Sequence, residues 1–260
     1  MFLPTEELDV QNILKPESIP EYLRMRDVIW QNLISINTNL FTLSRIDEFP
    51  FRLLFPEYGD RIFWQTTRRV LVEATLVNIR KLVLDPDDRS FTIDHFRKYV
   101  SQNALEPAKS ALDNTIKQSD FDDRLSQVRN RINYIRNKYV AHLDKEAVLD
   151  SEDSPHSTVT FADLHGTLIA ATELFDVLCF GHHHNLWLWD YSERARQDRT
   201  TDIDALLLNY ASTSRVLDFP EREPENVPLY FKGFNEAEIM IINSYRERLG
   251  LPAISVVAAL

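Results

Sequence analysis

Hydrophobic positions along the chain recur mostly at spacings of three and four residues, the period of an α-helix with one buried side. The clearest run lies in residues 119–150, where six positions form one stripe: Leu125, Val128, Ile132, Ile135, Tyr139 and His142. Three aspartates precede this stripe, where a helix dipole favours negative charge. The pattern predicts a long helix whose buried side carries a histidine where a packing helix more often has leucine.

The same period predicts long helices over residues 20–49, 60–84 and 161–196, the last with a kink near Gly181. Shorter helices are expected over residues 5–14, 202–217 and 235–249, and Gly250 ends the last of these. Another short helix should begin after a Thr92 cap, and residues 107–118 are weakly helical. Residues 218–228 are proline-rich and acidic, and we expect a linker or a surface loop there.

No segment alternates as a strand does, so we predict an all-α fold, a helical bundle with additional C-terminal helices. Residues 1–150 are expected to form the bundle. Residues 151–200 contribute a long helix that completes the bundle or an interface, and residues 201–260 form a helical appendage. The closing sequence PAISVVAAL is expected to pack on the body of the protein or on a partner.

Composition narrows the class of protein. The chain has 260 residues, a net charge of -11 and only 5 glycines, and it lacks the GxGxxG, GxxxxGK and GxSxG loops. No run approaches the roughly 20 apolar residues of a membrane span, and the first residues lack the basic start of a signal peptide. With a single cysteine, Cys179, the sequence is typical of a cytoplasmic protein without membrane association.

The window of residues 124–143 reverses the sign of the chain's charge. It holds four arginines and one lysine and no acid. The residues three and four positions from Arg136 are Ile132, Asn133, Tyr139 and Val140, so no carboxylate occupies the usual pairing positions within this helix. Arg136 is therefore a candidate anchor for a phosphate group, which guanidinium binds in bidentate fashion.

His142 follows Arg136 by six residues, which on a regular helix corresponds to roughly 120° and 9 Å. A histidine at this distance can transfer a proton near neutral pH, and an arginine can stabilise charge that develops on phosphate. These groups suit cleavage of RNA without a metal or another cofactor. Because one helix offers one histidine, a two-fold dimer that pairs the helix with its copy would supply two.

Structural roles explain the same residues in another way. His142 can be a core histidine bonded to a carbonyl or paired with Glu146, and Arg136 can be a solvated helix residue. The run His182, His183, His184 does not predict a metal site, because consecutive helical side chains point in three directions. Stacking of RNA bases on the aromatic side chains at positions 187, 189 and 191 is less expected than packing.

The segment RNKYVAHLD, which contains Arg136, Asn137 and His142, resembles the signature of HEPN domains. The wider match is to their abortive-infection U-type (AbiU-like) branch, and it includes the upstream segment FWQTTRRVLVEATLVNIRKLVLDPDDRSFTIDHF and covers residues 20–149. The resemblance implies a helical bundle that dimerises through the motif-bearing helices. It also implies that Arg136 and His142 are catalytic and that Asn137 supports them.

Many proteins of this superfamily are metal-independent endoribonucleases that act as toxins or phage-defence effectors, so the resemblance implies RNA as substrate and an antitoxin protein as a further partner. Others are inactive scaffolds. The alternative is therefore a non-catalytic helical module that binds a nucleotide or a protein in the same cleft. No family counterpart is expected for the long C-terminal region.

Overall fold

Two long helices dominate the first third of the chain. The computed structural model describes residues 10–57, 59–84, 91–145, 161–180 and 202–254, with side chains in the segment 121–145 described up to Arg136. Helix α1 (Ile19–Glu48) has Pro20 in its first turn, where the fixed φ of proline suits a helix start. Helix α2 (Phe51–Leu54) is short, and α3 (Ile62–Leu84) follows a 3-10 turn. The helices predicted over residues 20–49 and 60–84 are confirmed.

Helix α4 (Ile93–Asn103) begins at the predicted cap, since the Thr92 side chain accepts a hydrogen bond from the His95 amide at 3.1 Å. Helices α5 (Glu106–Gln118), α6 (Phe121–Lys145) and α7 (Phe161–Val177) follow. The segment predicted as weakly helical is a full helix, α5, because burial of Leu112 and Ile116 supports it. The chain beyond residue 180, where α7 was predicted to continue, lies outside the described residues until residue 202.

The chain divides into two compact units, and unit 1 comprises Met1–Phe41 and Arg69–Ser192. Within it α6 and α7 pack side by side in opposite directions, as shown by the contacts of Arg124 with Glu173 and of Arg131 with Asp163. Tyr22 is fully buried, stacks on Phe96 with ring centroids 5.3 Å apart, and donates a hydrogen bond to the Leu178 carbonyl at 3.3 Å. Unit 1 is thus a helical bundle around an aromatic centre.

Unit 2 comprises Thr42–Arg68 and Glu193–Leu260. It contains α8 (Asp202–Ala211), α9 (Arg215–Arg222), α10 (Val227–Tyr230) and α11 (Glu236–Arg248). The single helix predicted over residues 202–217 is wrong, because it breaks where the buried Ser214 hydroxyl donates to the Leu54 carbonyl at 2.6 Å. The loop predicted over residues 218–228 is also wrong, because this segment is largely helical. Phe219 in this segment stacks on Tyr230 with ring centroids 3.8 Å apart.

The all-α fold with additional C-terminal helices is confirmed, since the described residues form helices and no strand beyond one isolated bridge, Leu14 to Ala104. Among the described helices none is both long and apolar enough to cross a membrane. The domain boundaries predicted at residues 150 and 200 lie outside the described residues and stay predictions. The helix start predicted at residue 5 also lies outside them, but the described end of that prediction is wrong, because Val10–Asn12 forms a 3-10 helix and Leu14 pairs with Ala104.

Candidate active site on the motif helix

The described part of the predicted stripe, up to Ile135, forms the inner side of α6. Leu125, Val128, Ile132 and Ile135 are all buried, together with Phe121 at the start of the helix. These side chains give α6 a fixed orientation in unit 1, since turning the helix about its axis would expose them to water. The two flanks beside the stripe therefore have defined neighbours.

One flank of α6 faces α7. Arg124 forms a hydrogen-bonded ion pair with Glu173, and an Arg131 Nη lies 3.7 Å from the Asp163 carboxylate. A Cβ added at Gly166 would meet the Arg131 guanidinium at 3.3 Å. The glycine thus lets the guanidinium approach the backbone of α7 closely.

The opposite flank faces the end of α3. Arg129 Nε donates to the carbonyl of Val83, in the last turn of α3, at 2.6 Å, and Arg129 Nη lies 3.6 Å from Asp94. A cation at this position satisfies a carbonyl left open by the helix end and complements its dipole. Burial alone would raise the pKa of Asp94, but hydrogen bonds and charge from Lys98 and Arg97 outweigh it and lower the pKa.

The charge reversal seen in the sequence is therefore compensated in three dimensions over the first part of α6. The acids that meet Arg124, Arg129 and Arg131 come from α4 and α7, at sequence separations that no local pattern indicates. These three arginines hold the helix in place. Sequence reasoning missed them as structural residues because it counted only acids within the helix.

Arg136 is exposed on α6. It follows Arg129 by seven residues, which turns it only about 20° from that residue, so it continues the flank that faces α3 and α4. The backbone is helical through Lys145, so Arg136 and His142 lie on one continuous helix. The side chains of Asn137 and His142 lie outside the described residues.

The other candidate residues fall in three groups. His165 is half-buried and stacks on Phe161 with ring centroids 5.4 Å apart, and burial lowers its pKa. Cys179 is buried, and burial and the nearby Asp176 charge raise the pKa of its thiol.

The candidate residues His182, His183 and His184, with the aromatic residues at 187, 189 and 191, lie outside the described residues. The described residues contain no group of three or more side chains able to hold a metal ion.

Unit 2 contains a small pocket of about 110 Å³. At its wall, Arg45 pairs with Glu48 at 2.5 Å, and its Nε donates to Asp204 at 2.6 Å. Arg248 also lines the pocket, so its two cations, Arg45 and Arg248, balance its two carboxylates, Glu48 and Asp204. The pocket does not include any of the predicted site residues.

A helical bundle whose motif helix carries Arg136, Asn137 and His142 in this order has the organisation of an HEPN domain. The family model for HEPN_AbiU2, described as AbiU2, matches residues 19–200, and the chain belongs to this family. The predicted family is thus confirmed, and the match continues past residue 149, where the resemblance in the sequence ended, to include α7. No curated protein and no solved structure matches the chain.

Proposed function

We propose that this HEPN protein is a metal-independent endoribonuclease that cleaves RNA in a cleft between two copies of α6, as a toxin or phage-defence effector. Arg136 binds the scissile phosphate, His142 transfers the proton, and Asn137 supports both. The observation that carries the proposal is the continuous helix α6, which holds an exposed Arg136 and, six residues on, His142.

The chemistry requires a 2′-hydroxyl group. A base accepts its proton as the oxygen attacks the adjacent phosphorus, and an acid protonates the departing 5′-oxygen. The products are a 2′,3′-cyclic phosphate and a 5′-hydroxyl end. Arg136 stabilises the charge that develops on the phosphate oxygens, and in a two-fold dimer the base and the acid are the two copies of His142.

The helix that carries the motif is fixed at its other end. Three arginine contacts and four buried stripe residues anchor α6 in unit 1 up to Ile135. Such support is what a catalytic group needs, because small displacements of a reacting side chain cost large factors in rate.

The test is cleavage of RNA by the purified protein in the presence of EDTA. We expect wild-type cleavage to persist with the chelator and to leave cyclic phosphate ends. His142→Ala should lower the rate by about 100-fold or more, and Arg136→Ala by a similar factor, the range for loss of a general acid–base or of a charge stabiliser. A substrate with one 2′-deoxyribose should resist cleavage at that position only.

Two matched variants control for loss of charge or of an imidazole outside the motif. Arg80→Ala removes an exposed guanidinium from α3, and His165→Ala removes a half-buried histidine from α7. Both should retain the wild-type rate within a few-fold. Cleavage that depends on added metal, or that survives His142→Ala, would exclude the proposed mechanism. RNA or protein binding without any cleavage would favour the non-catalytic alternative.

A further inference from the structure

The chain reverses direction at the end of α11. Gly250 adopts a φ of 73°, the left-handed conformation that glycine takes without strain. The amides of Gly250 and Leu251 donate to the carbonyls of Glu247 and Arg246 at 2.9 and 2.8 Å. These bonds form a helix-ending motif in which the left-handed residue turns the chain back toward its own helix.

The reversed chain is then held along α11 by two side chains. Arg246, only 1% exposed, donates from Nε to the Pro252 carbonyl at 2.7 Å. Asn243 pairs with both backbone groups of Ile254: its Oδ1 accepts from the amide at 2.7 Å, and its Nδ2 donates to the carbonyl at 3.1 Å. The Asn243 side chain thus binds the backbone amide and carbonyl of one residue, as a neighbouring β-strand would. Ile254 is buried.

In these contacts, residues three apart on α11 bind residues two apart on the extended chain, and they form a row along the helix surface. Arg246 and Asn243 are three residues apart, roughly 60° and 4.5 Å on the helix, a path of about 7 Å over its surface. Two extended residues, from Pro252 to Ile254, advance by about 6.7 Å. Two residues of the extended segment therefore span the same distance as three residues of α11. The next positions in this row are Met240 and then Ala237, and Met240 is 73% exposed.

We propose that this row, Ala237, Met240, Asn243 and Arg246, is a docking surface for an extended apolar segment, and that residues 255–260 of the same chain cover its exposed half, Ala237 and Met240. Their sequence, SVVAAL, has apolar side chains that can cover the exposed Met240. Six residues reach about 20 Å, whereas Asn243 and Ala237 are separated by a rise of about 9 Å. The part of the closing sequence that the structure describes already packs on α11 in the direction of Met240.

The test is the rate at which a thiol reagent labels Met240→Cys in the full chain and in a chain stopped after Ile254. Cys179 is buried and provides no competing site in the native protein. We expect labelling in the full chain to be about tenfold slower, the protection that burying one valine-sized side chain can give. Val256→Asp with Val257→Asp in the full chain should restore the fast rate without any change of length.

Ile241→Cys is the matched control, because Ile241 is also exposed but lies about 100° around the helix from Met240. Its labelling rate should be equal in both chain lengths, and circular dichroism should show the same helix content for every variant. Equal rates for Met240→Cys in the two chains would overturn the proposal. Protection that disappears on dilution would assign this surface to a second copy of the chain and overturn the intramolecular occupant.

Discussion

Arg129 allows the contribution of a helix-end contact to be calculated from the structure. Its Nε donates to the Val83 carbonyl at 2.6 Å, and its side chain is 35% exposed. A hydrogen bond from a charged donor contributes about 1.5–3 kcal/mol when buried, and a cation at a helix end adds about 0.3–1 kcal/mol. Solvent screening reduces both figures here. Asp94 keeps Arg97 and Lys98 as partners, so Arg129→Ala leaves no buried carboxylate without a cation.

We therefore expect Arg129→Ala to lower the free energy of unfolding by about 2 kcal/mol, near the low end of those sums. With an m-value of about 2 kcal/mol/M, the urea midpoint of unit 1 should fall by about 1 M. Hydrogen exchange can locate the effect, because the amides in the last turn of α3 and the middle of α6 should lose protection together. Arg129→Lys should recover part of the loss, since an ammonium can also donate to the carbonyl.

The control for this prediction is Arg131→Ala on the same helix. Its side chain is 47% exposed and lies 3.7 Å from Asp163, so its loss should cost no more than about 1 kcal/mol. Equal destabilisation by the two substitutions would refute the reasoning. The Val83 contact would then contribute no more than an ordinary surface ion pair.

Three further predictions concern buried or partly buried polar groups. Asn37→Leu should stabilise the protein by about 1 kcal/mol or more in urea unfolding, because both Asn37 amide atoms are buried without a hydrogen-bond partner among the described residues. The hydrogen bond from Arg246 lowers the pKa of Glu221 in the folded protein. The Glu221–Arg246 pair therefore stabilises the fold fully above pH 4.5, and this stabilisation is lost as pH falls through the lower folded pKa. Glu221→Gln should remove this pH dependence from the thermal midpoint of unit 2. Cys179 should react with alkylating reagents only after unfolding, as followed by mass spectrometry, because burial raises its pKa and blocks access.

The helices of unit 1 could be predicted from the sequence because each carries its own signals. The three-and-four spacing of apolar residues defined α1, α3, α6 and α7, and Thr92 marked the start of α4. Such signals act within one or two turns of a helix. They are therefore visible without knowledge of what the helix packs against.

The predictions failed where distant residues decide the local structure. The break between α8 and α9 depends on the hydrogen bond from Ser214 to Leu54, which is 160 residues away. The segment 218–228 looked like a loop because it is acidic and rich in proline, but Phe219 stacks on Tyr230 and Glu221 pairs with the buried Arg246. Propensity is a weak prior, and these tertiary contacts override it.

The basic window of α6 shows the same limit at the candidate site. In the sequence its arginines look alike, and a pattern of charges alone cannot separate a structural arginine from one proposed to be catalytic. The structure divides them by position. Arg124, Arg129 and Arg131 meet acids from other helices, and Arg136 lies exposed two turns beyond Arg129, where the motif begins. The HEPN motif thus lies at the end of a helix whose earlier arginines serve to hold it, and substitutions in the two groups should affect different quantities. Arg129→Ala should act mainly on stability, and Arg136→Ala mainly on the proposed cleavage.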